Sequence, residues 1–271
     1  MSSRVKMILD CDPGHDDAMA LVVAANHADL LGVTTVAGNA PITATTRNAR
    51  IVLDMIGSTA PLHQGARRPL VAEPKDASYV HGESGLDGAD LPEPSRPADS
   101  DDAVQFIIDT CRNTEGIWLV PTGPLTNIAL ALQKDPSIAK TVKRCVIMGA
   151  VADHIGNVTQ VAEFNMWVDP EAVDVVLRSG MHLEFVGWDI SRTEAVVTPQ
   201  ESAMIRSLGT ERASFSVDIQ RVLEKFCAEE THLNGFDLPD PIAMAYAIDT
   251  SIATEAHHWY LAAETGSALT R

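Results

Sequence analysis

Two hydrophobic patterns alternate along the chain between residues 5 and 188. Short apolar runs are typical of strands buried on both faces of a sheet, whereas apolar residues at helical spacing are typical of helices packed on such a sheet. The predicted strands are 5–12, 30–38, 61–65, 116–123, 142–150 and 182–188, and the predicted helices are 16–27, 42–57, 101–113, 125–135 and 170–180. This alternation predicts an α/β fold with a mostly parallel central sheet flanked by helices.

The rest of the chain departs from this alternation. Beyond residue 198 the pattern is mainly helical, and residues 257–264 are predicted to form one more strand. Residues 66–100 and 151–165 contain no long periodic element, and long loops in a compact α/β protein often carry function. Because neither a repeat nor a linker is visible, we expect a single domain over residues 1–271.

Composition limits the classes of partner. Of the 271 residues, 45% are hydrophobic, which is enough for a sizeable core, and the net charge is −17. Binding to nucleic acid or to an anionic membrane surface requires basic patches, so we expect neither. The sequence has no long apolar run, no signal-peptide pattern and no closely spaced cysteines, so a reduced cytoplasmic protein is predicted.

A dense acidic cluster follows the first predicted strand. Residues 7–21 read MILDCDPGHDDAMAL and place Asp10, Asp12, Asp16 and Asp17 where the strand ends and a helix begins. Ligands of open α/β sheets bind at this edge, beyond the carboxyl ends of the strands. Oxygen ligands suit Ca²⁺ or Mg²⁺, whereas a zinc site would be expected to include His or Cys. The alternative is a solvated helix start, although four carboxylates exceed what helix capping requires.

An apolar strand followed by Asp-x-Asp also resembles the nucleophile loop of haloacid-dehalogenase-like phosphatases. In that interpretation Asp10 attacks phosphorus and Asp12 handles the proton of the leaving group. Those enzymes usually carry Thr or Val two positions after the second Asp, where this chain has Gly14. Phosphate binding also favours Arg, Lys or a glycine nest, and residues 10–17 contain no Arg or Lys. The phosphatase is therefore kept as the alternative enzyme.

The string DCDPGHDDA at residues 10–18 resembles the signature of the inosine–uridine nucleoside hydrolases. Five further segments resemble motifs of that family in the same order along the chain. They are TTVAGN (34–39), HGESG (81–85), LVPTGPLTNIA (119–129), GNVTQVAEFNMWVDPEA (156–172) and DPIAMAYAID (240–249). The resemblance implies an open, Rossmann-like fold and a homo-oligomer, either a dimer or a tetramer. It also implies Ca²⁺-dependent hydrolysis of the N-glycosidic bond of ribonucleosides, with release of base and ribose.

The same resemblance implies roles for individual residues. The Ca²⁺ ligands would be the side chains of Asp12, Asp17 and Asp240 and the carbonyl group of Thr122. The catalytic residues would be Asp12, Asn39 and Asp240, with Asp12 as the general base. The substrate-binding residues would be Asp16, Asn39, His81, Asn157, Glu163, Phe164, Asn165 and Asp240. Asp16 and Asn165 would bind the ribose diol, Asn157 and Glu163 the 5′-hydroxyl, and Asp10 would orient its neighbours.

The chemistry of these side chains supports a sugar site independently of the resemblance. Cleavage of a glycoside passes through an oxocarbenium-like state, whose positive charge surrounding carboxylates stabilise. Amide side chains both donate hydrogen bonds to hydroxyl groups and accept them. Ordinary loop polarity or helix capping could explain Asn39, Asn157, Glu163, Asn165 or Asp240 individually, but all of these explanations would have to coincide. For His81, substrate contact and a purely structural role in its loop stay equally open.

The sequence differs from the family at the position that acts on the leaving group. Many members have His immediately before the late Asp, and others have Trp, but this chain has Pro239. Proline cannot donate a proton, so Glu230, His232 or His81 is a candidate substitute, and both Glu230 and His232 could instead be surface residues. The second alternative function is therefore a ribose- or nucleoside-binding protein without catalysis. Members also usually continue for a further strand and helix, and the choice between purine and pyrimidine bases stays open.

Overall fold

The computed structural model describes residues 4–266. The strands in chain order are β1 (Lys6–Cys11), β2 (Asp29–Thr35), β3 (Leu62–Gln64), β4 (Trp118–Pro121), β5 (Arg144–Met148), β6 (Leu183–Val186), β7 (Val196–Val197) and β8 (Phe236–Asp237). The helices up to β6 are α1 (His15–His27), α2 (Ile42–Ile56), α3 (Ser78–His81), α4 (Ala103–Asn113), α5 (Thr126–Lys134), α6 (Ile138–Thr141), α7 (Phe164–Val168) and α8 (Pro170–Leu177). The later helices are α9 (Trp188–Glu194), α10 (Pro199–Ser207), α11 (Glu211–Asp218), α12 (Arg221–Phe226) and α13 (Pro239–Ile248), with a π-helical turn (Cys227–Thr231) and a 3₁₀ turn (Thr250–Ile252).

Six strands form one parallel sheet in the order β3-β2-β1-β4-β5-β6. The order reverses direction beside β1, which lies between β2 and β4. Such a reversal opens a crevice at the carboxyl ends of the central strands. Within the described residues, β7 and β8 form a separate antiparallel pair. The predicted parallel α/β sheet in one domain is confirmed.

Hydrophobic packing covers both faces of the sheet. Side chains alternate along β1, so Leu9 packs in the cluster with α1, α2 and α13, whereas Ile8 packs in the cluster with α4, α5 and α8. Helix α2 ends as predicted at Gly57, whose φ of 69° is the left-handed conformation that favours glycine. The two clusters hold the central strands in a fixed register. The carboxyl edge of the sheet is therefore a rigid base for a site.

The predicted strand at 257–264 is wrong. These residues have no regular secondary structure, and none of the described strands pairs with them. Trp259, Tyr260 and Leu261 are all exposed, so the segment buries neither of its faces and gains nothing from a strand conformation.

Two smaller expectations can also be compared with the structure. The long irregular segment at 66–100 is confirmed, with only the short α3 inside it. The four cysteines are free and buried. Over residues 4–266, no helix is both long enough and apolar enough to cross a membrane.

Candidate active site

The carboxyl ends of four parallel strands bring the predicted site residues together. Asp12 follows β1, Asn39 follows β2, Thr122 follows β4, and β5 ends at Met148. The first turns of α1, α7 and α13 add Asp16, Asp17, Asn165 and Asp240 to the same edge. We call this set the acidic floor: Asp12, Asp16, Asp17, Asn39, Thr122, Asn165 and Asp240. All of its members are buried.

Asp12 is held tightly and yet has one free oxygen. Gly38 and Gly123 lie on either side of its carboxylate, and a Cβ atom at either position would overlap a carboxylate oxygen. The backbone N–H of Asn39 donates to Oδ2 over 2.7 Å. Oδ1 is buried and has no hydrogen-bond partner among the described residues. An orphaned carboxylate oxygen costs free energy unless a ligand satisfies it, so Oδ1 points to a bound group.

Asp17 connects the strand ends to one another. Its Oδ1 accepts hydrogen bonds from Thr122 Oγ1 at 2.8 Å and from the backbone of Asp12 at 3.3 Å. Its Oδ2 accepts from Asn39 Nδ2 at 3.0 Å and from the backbone of Gly14 at 3.2 Å. Burial raises the pKa of Asp17 above its usual range, although the hydrogen bonds from Thr122, Gly14 and Asp12 oppose the shift. Asp17 is therefore a buried carboxylate that a nearby positive charge would help to ionise.

The floor is suited to a hard divalent cation. Ligand atoms of Asp16, Asp17 and Asp240 lie within 4.8 Å of one another. Burial raises the pKa of Asp16 to about 8 and raises that of Asp240 well above its usual range, with neighbouring carboxylates adding to both shifts. Oδ1 of Asp16 also lacks a partner in the described chain. A cation of the Ca²⁺ type would satisfy these oxygens and allow the carboxylates to ionise together.

This convergence differs in one member from the predicted ligand set. Asp16, which was predicted to bind the ribose diol, belongs to the group of three, and Asp12 does not. Asp12 is nevertheless close, because Asp17 and Asp16 both raise its pKa after the larger effect of burial. The carbonyl oxygen of Thr122 accepts from Asn165 Nδ2 at 2.7 Å. All predicted ligands thus lie in the acidic floor.

Asp10 is buried at the end of β1, two residues before Asp12. Its Oδ1 accepts from Thr34 Oγ1 at 2.5 Å and from Asn127 Nδ2 at 2.7 Å. Burial raises its pKa to about 7, although both hydrogen bonds oppose the shift. Asn127 also donates to the Thr35 carbonyl and accepts from the Ala66 backbone. Sequence reasoning missed Asn127, although it stands in the segment 119–129.

The residues predicted to bind the 5′-hydroxyl brace the loop before α7. Asn157 Oδ1 accepts from the backbone of Phe164 at 2.8 Å. Glu163 Oε1 accepts from the backbone of Asn165 at 2.9 Å, and Oε2 accepts from that of Ala150 at 3.1 Å. Burial raises the pKa of Glu163 to about 7. Both side chains line the cavity, but their oxygens already accept backbone hydrogen bonds.

A cavity of about 390 Å³ lies above the acidic floor, within the range of small-molecule sites. Every predicted substrate-binding residue lines it, including His81. We call the residues that α3, α9, α12, the π-helical turn and the start of α13 add to this cavity the helical wall. These are Tyr79, Val80, Trp188, Arg192, Leu223, Phe226, Cys227, Glu230, Thr231 and Pro239. The floor is acidic, whereas the wall is mostly apolar.

His81 is in contact with a second histidine. Its Nδ1 lies 3.2 Å from Nδ1 of His15, and His15 Nε2 lies 3.2 Å from the carbonyl oxygen of Asp87. Burial lowers the pKa of His15 to about 4 and lowers that of His81 well below its usual range. Both rings are therefore neutral near pH 7.

The wall contains residues that sequence reasoning missed. Trp188 and Arg192 line the cavity, but α9 has no motif that would have singled them out. Glu230 also lines the cavity, whereas His232 is exposed and lies outside the lining. Of the candidate proton donors, Glu230 and His81 are thus at the cavity.

Comparisons with known proteins agree with this geometry. A family model described as inosine-uridine preferring nucleoside hydrolase matches residues 7–271. An inosine-uridine preferring nucleoside hydrolase of Leishmania major is 40% identical over 255 residues, which cover 92% of this chain and 80% of that protein. A pyrimidine-specific ribonucleoside hydrolase, RihB, of Escherichia coli is 40% identical over 247 residues, which cover 90% of this chain and 78% of that protein.

Solved structures give the same result. A purine-preferring ribonucleoside hydrolase from Gardnerella vaginalis superposes with a TM-score of 0.87 at 32% identity, covering 92% of this chain and 81% of that one. An inosine-guanosine nucleoside hydrolase superposes with a TM-score of 0.89 at 26% identity, covering 98% and 85%. The phosphatase alternative is therefore wrong, because the match extends over nearly the whole chain. The chain belongs to the inosine-uridine preferring nucleoside hydrolase family.

Proposed function

We propose that this protein hydrolyses the N-glycosidic bond of ribonucleosides in a Ca²⁺-dependent reaction, releasing free base and ribose. One observation carries the proposal: three buried carboxylates converge within 4.8 Å at the floor of a cavity whose other polar groups suit a sugar. The activities in the names of the relatives agree with it. The cytoplasmic location and the homo-oligomer stay predictions.

The Ca²⁺ ion would be held by Asp12, Asp17, Asp240 and the carbonyl oxygen of Thr122, with Asp16 beside them. The convergence of Asp16, Asp17 and Asp240 and the unpaired oxygen on Asp16 support a cation at this place. The ion would supply positive charge that offsets the carboxylates and acidifies a nearby water. Oxygen-only ligands favour Ca²⁺ over zinc.

Asp12 is the general base in this proposal. The N–H of Asn39 fixes Oδ2, so that Oδ1 is free to accept the proton of the attacking water. The water oxygen bonds to C1′ of the ribose while the bond from C1′ to the base nitrogen breaks. The electron pair of that bond leaves with the base, which then takes up a proton. Carboxylates of the floor stabilise the positive charge that develops on the ribose.

Asp16, Asn39 and Asn165 hold the ribose hydroxyls. Asp16 accepts hydrogen bonds from the diol, and Asn165 donates and accepts from a position fixed by its bond to Thr122. Asn157 and Glu163 bind the 5′-hydroxyl. Their side-chain oxygens use the lone pairs that are not already engaged by backbone N–H groups. Phe164 covers the sugar from the cavity wall.

The test is the release of free ribose from inosine, adenosine, uridine and cytidine by metal-replete protein. Chelation is expected to abolish release, and Ca²⁺ is expected to restore it better than Zn²⁺. Full activity in a demonstrably metal-free preparation would rule out the metal dependence. Binding of nucleoside without release of ribose would identify a non-catalytic binding protein, which Pro239 keeps as the second candidate.

A further inference from the structure

Arg192 is the one Lys or Arg side chain that lines the cavity among the described residues. It comes from α9, outside every segment that resembles a family motif. Its side chain is only 15% exposed, so it is not a surface residue that happens to reach the opening. Burying a positive charge is costly unless it is paired, and Arg192 is paired with Asp237 at the long distance of 3.4 Å.

The contacts of Arg192 fix its position without using all of its donors. Its guanidinium group lies 5.2 Å from the centre of the Trp188 ring. Nη1 donates to Thr231 Oγ1 at 3.3 Å and to Asp237 Oδ1 at 3.4 Å, which are both long hydrogen bonds. Ser191 Oγ donates to the other oxygen of Asp237 at 2.8 Å. A guanidinium group has donors on three nitrogens, so those on Nε and Nη2 are left for a ligand.

Arg192 is also near the reacting end of the cavity. Its partner Asp237 stands at the end of β8, immediately before the start of α13 that carries Pro239 and Asp240. Arg192 and Asp237 line the same cavity as Asp16 and Asp240 of the acidic floor. The arginine and the floor therefore face one bound molecule.

We propose that Arg192 binds the leaving base, donating hydrogen bonds to a carbonyl oxygen of the base while the bond to C1′ breaks. This role rests on the proposed function. The departing base takes the electron pair of that bond, and its carbonyl oxygen shares the resulting negative charge. Pro239, at the border of the cavity, cannot donate a proton to the departing base. The permanent positive charge of Arg192 stabilises the negative charge on that base without any proton transfer.

The chemistry of the guanidinium group also determines which bases benefit. It has hydrogen-bond donors and no acceptor, so it matches the carbonyl oxygens of hypoxanthine and uracil. The exocyclic amino group of adenine is itself a donor and offers no such partner. We therefore expect Arg192 to favour inosine and uridine over adenosine.

The experiment compares Arg192→Gln and Arg192→Lys with wild type on inosine, adenosine and p-nitrophenyl riboside. Arg192→Gln is expected to lower kcat/KM for inosine roughly tenfold to a hundredfold, as for the loss of a charged hydrogen bond. The loss on p-nitrophenyl riboside and on adenosine is expected to be much smaller. Arg192→Lys retains the charge but not the planar donor group, so it should lie between wild type and Arg192→Gln.

Arg144→Gln is the matched control. Arg144 also lies over a tryptophan, 5.0 Å from the ring centre of Trp118, and is paired with Glu184 at 3.1 Å. It lies at the start of β5, at the opposite edge of the sheet from the cavity. If loss of a stacked arginine only loosens the fold, both variants will lower activity on all three substrates equally.

Chemical rescue provides a second readout, which a structural role would not change. Millimolar guanidinium chloride should restore inosine cleavage by Arg192→Ala, whereas matched sodium chloride should not. Selective loss on inosine together with this rescue supports the assignment. Equal losses on the three substrates, or no loss, would overturn it while ribose release by wild type still upheld the proposed function. Absence of ribose release by wild type would overturn both.

Discussion

The floor and the wall of the cavity are built in different ways. Each carboxylate of the floor is buried. Asp12 follows a strand, and Asp16, Asp17 and Asp240 lie in the first turns of α1 and α13, two helices that pack on the sheet through a large core. The wall comes from short helices and a π-helical turn, which pack through a small cluster of buried residues. Tyr79 in the wall is 60% exposed. In the proposed function, the sugar would therefore meet side chains held by a large core, and the base would meet side chains held by a small one.

The two regions also differ in how they manage charge. The floor gathers carboxylates whose convergence suits a cation, whereas the wall has one arginine, which contacts Asp237 and Trp188. We therefore expect replacement of a single floor residue to lower the cleavage rate strongly for every riboside. Replacement of a wall residue should change the rate by an amount that depends on the leaving group.

The largest expected effect is on the floor, from Asp12→Asn. The amide is nearly isosteric but cannot accept the proton of the attacking water. We expect kcat/KM for uridine to fall by about 10⁴, the upper end of the range for general acid–base catalysis. Asp174→Asn is the control, since Asp174 pairs only with exposed Arg178 on the surface of α8. A residual activity of Asp12→Asn close to wild type would contradict the role of Asp12.

The next effect concerns the wall at Pro239. General acid catalysis typically raises a reaction rate about 10²–10⁴-fold. Pro239 cannot donate a proton, and inosine needs one for its leaving base whereas nitrophenolate leaves without one. Wild type should therefore cleave p-nitrophenyl riboside roughly 10³-fold faster than inosine. Pro239→His should narrow this preference by speeding the cleavage of inosine. Pro199→His is the matched control, because Pro199 is also the first residue of a helix but is exposed outside the cavity.

A wild type that cleaves inosine as fast as the nitrophenyl riboside would mean that another donor acts. Glu230 and His81 line the cavity, so each would then be the next residue to replace. A selective loss of inosine cleavage in Glu230→Gln would assign the proton to Glu230.

The burial of Asp10, at the end of β1 beside the floor, predicts an unusual dependence of stability on pH. Burial raises the pKa of Asp10 from 3.8 to about 7, so the folded state holds a proton that the unfolded state releases at lower pH. Stability is therefore greatest at low pH and is lost as pH rises from about 4 to 7. At about 1.4 kcal/mol for each pKa unit, the free energy of unfolding of metal-free protein should fall by about 4 kcal/mol.

Urea unfolding at pH 4 and pH 8, with and without Ca²⁺, measures this effect. Ca²⁺ should remove much of the fall, because it favours the ionised carboxylates of the floor. Asp10→Asn should show a smaller fall in the metal-free protein. Equal stability of metal-free wild type at both pH values would contradict the assignment.

The sequence predicts the floor much better than the wall. Buried parallel strands leave a clear apolar pattern, and ligands bind at their carboxyl ends, so the acidic cluster around Asp12 could be placed from the pattern alone. The roles of Asn39 and Asp240 were predicted through the resemblance to the family. The wall is formed by tertiary packing of α9 against β8, two elements far apart in the chain, and Arg192 has no local pattern. The prediction of a strand at 257–264 was wrong for a related reason. A β-rich composition does not show whether the fold provides a partner strand.

Removal of the 2′-hydroxyl should have a moderate effect. The floor offers carboxylates and amides to the ribose diol, and a lost hydrogen bond to a charged partner is worth about 1.5–3 kcal/mol. We expect kcat/KM for 2′-deoxyuridine to be roughly tenfold to a hundredfold lower than for uridine. Equal values for the two substrates would contradict binding of the diol by the floor.

Removal of the 5′-hydroxyl should have the smallest effect. Asn157 and Glu163 already accept hydrogen bonds from the backbone of Phe164, Asn165 and Ala150, so they share their acceptor capacity with the fold. A shared, neutral hydrogen bond contributes about 1 kcal/mol, so 5′-deoxyuridine should lose roughly fivefold in kcat/KM. A loss larger than that of 2′-deoxyuridine would show that the 5′-hydroxyl is gripped more firmly than the diol. The rigid part of the site would then extend beyond the acidic floor, into the loop before α7.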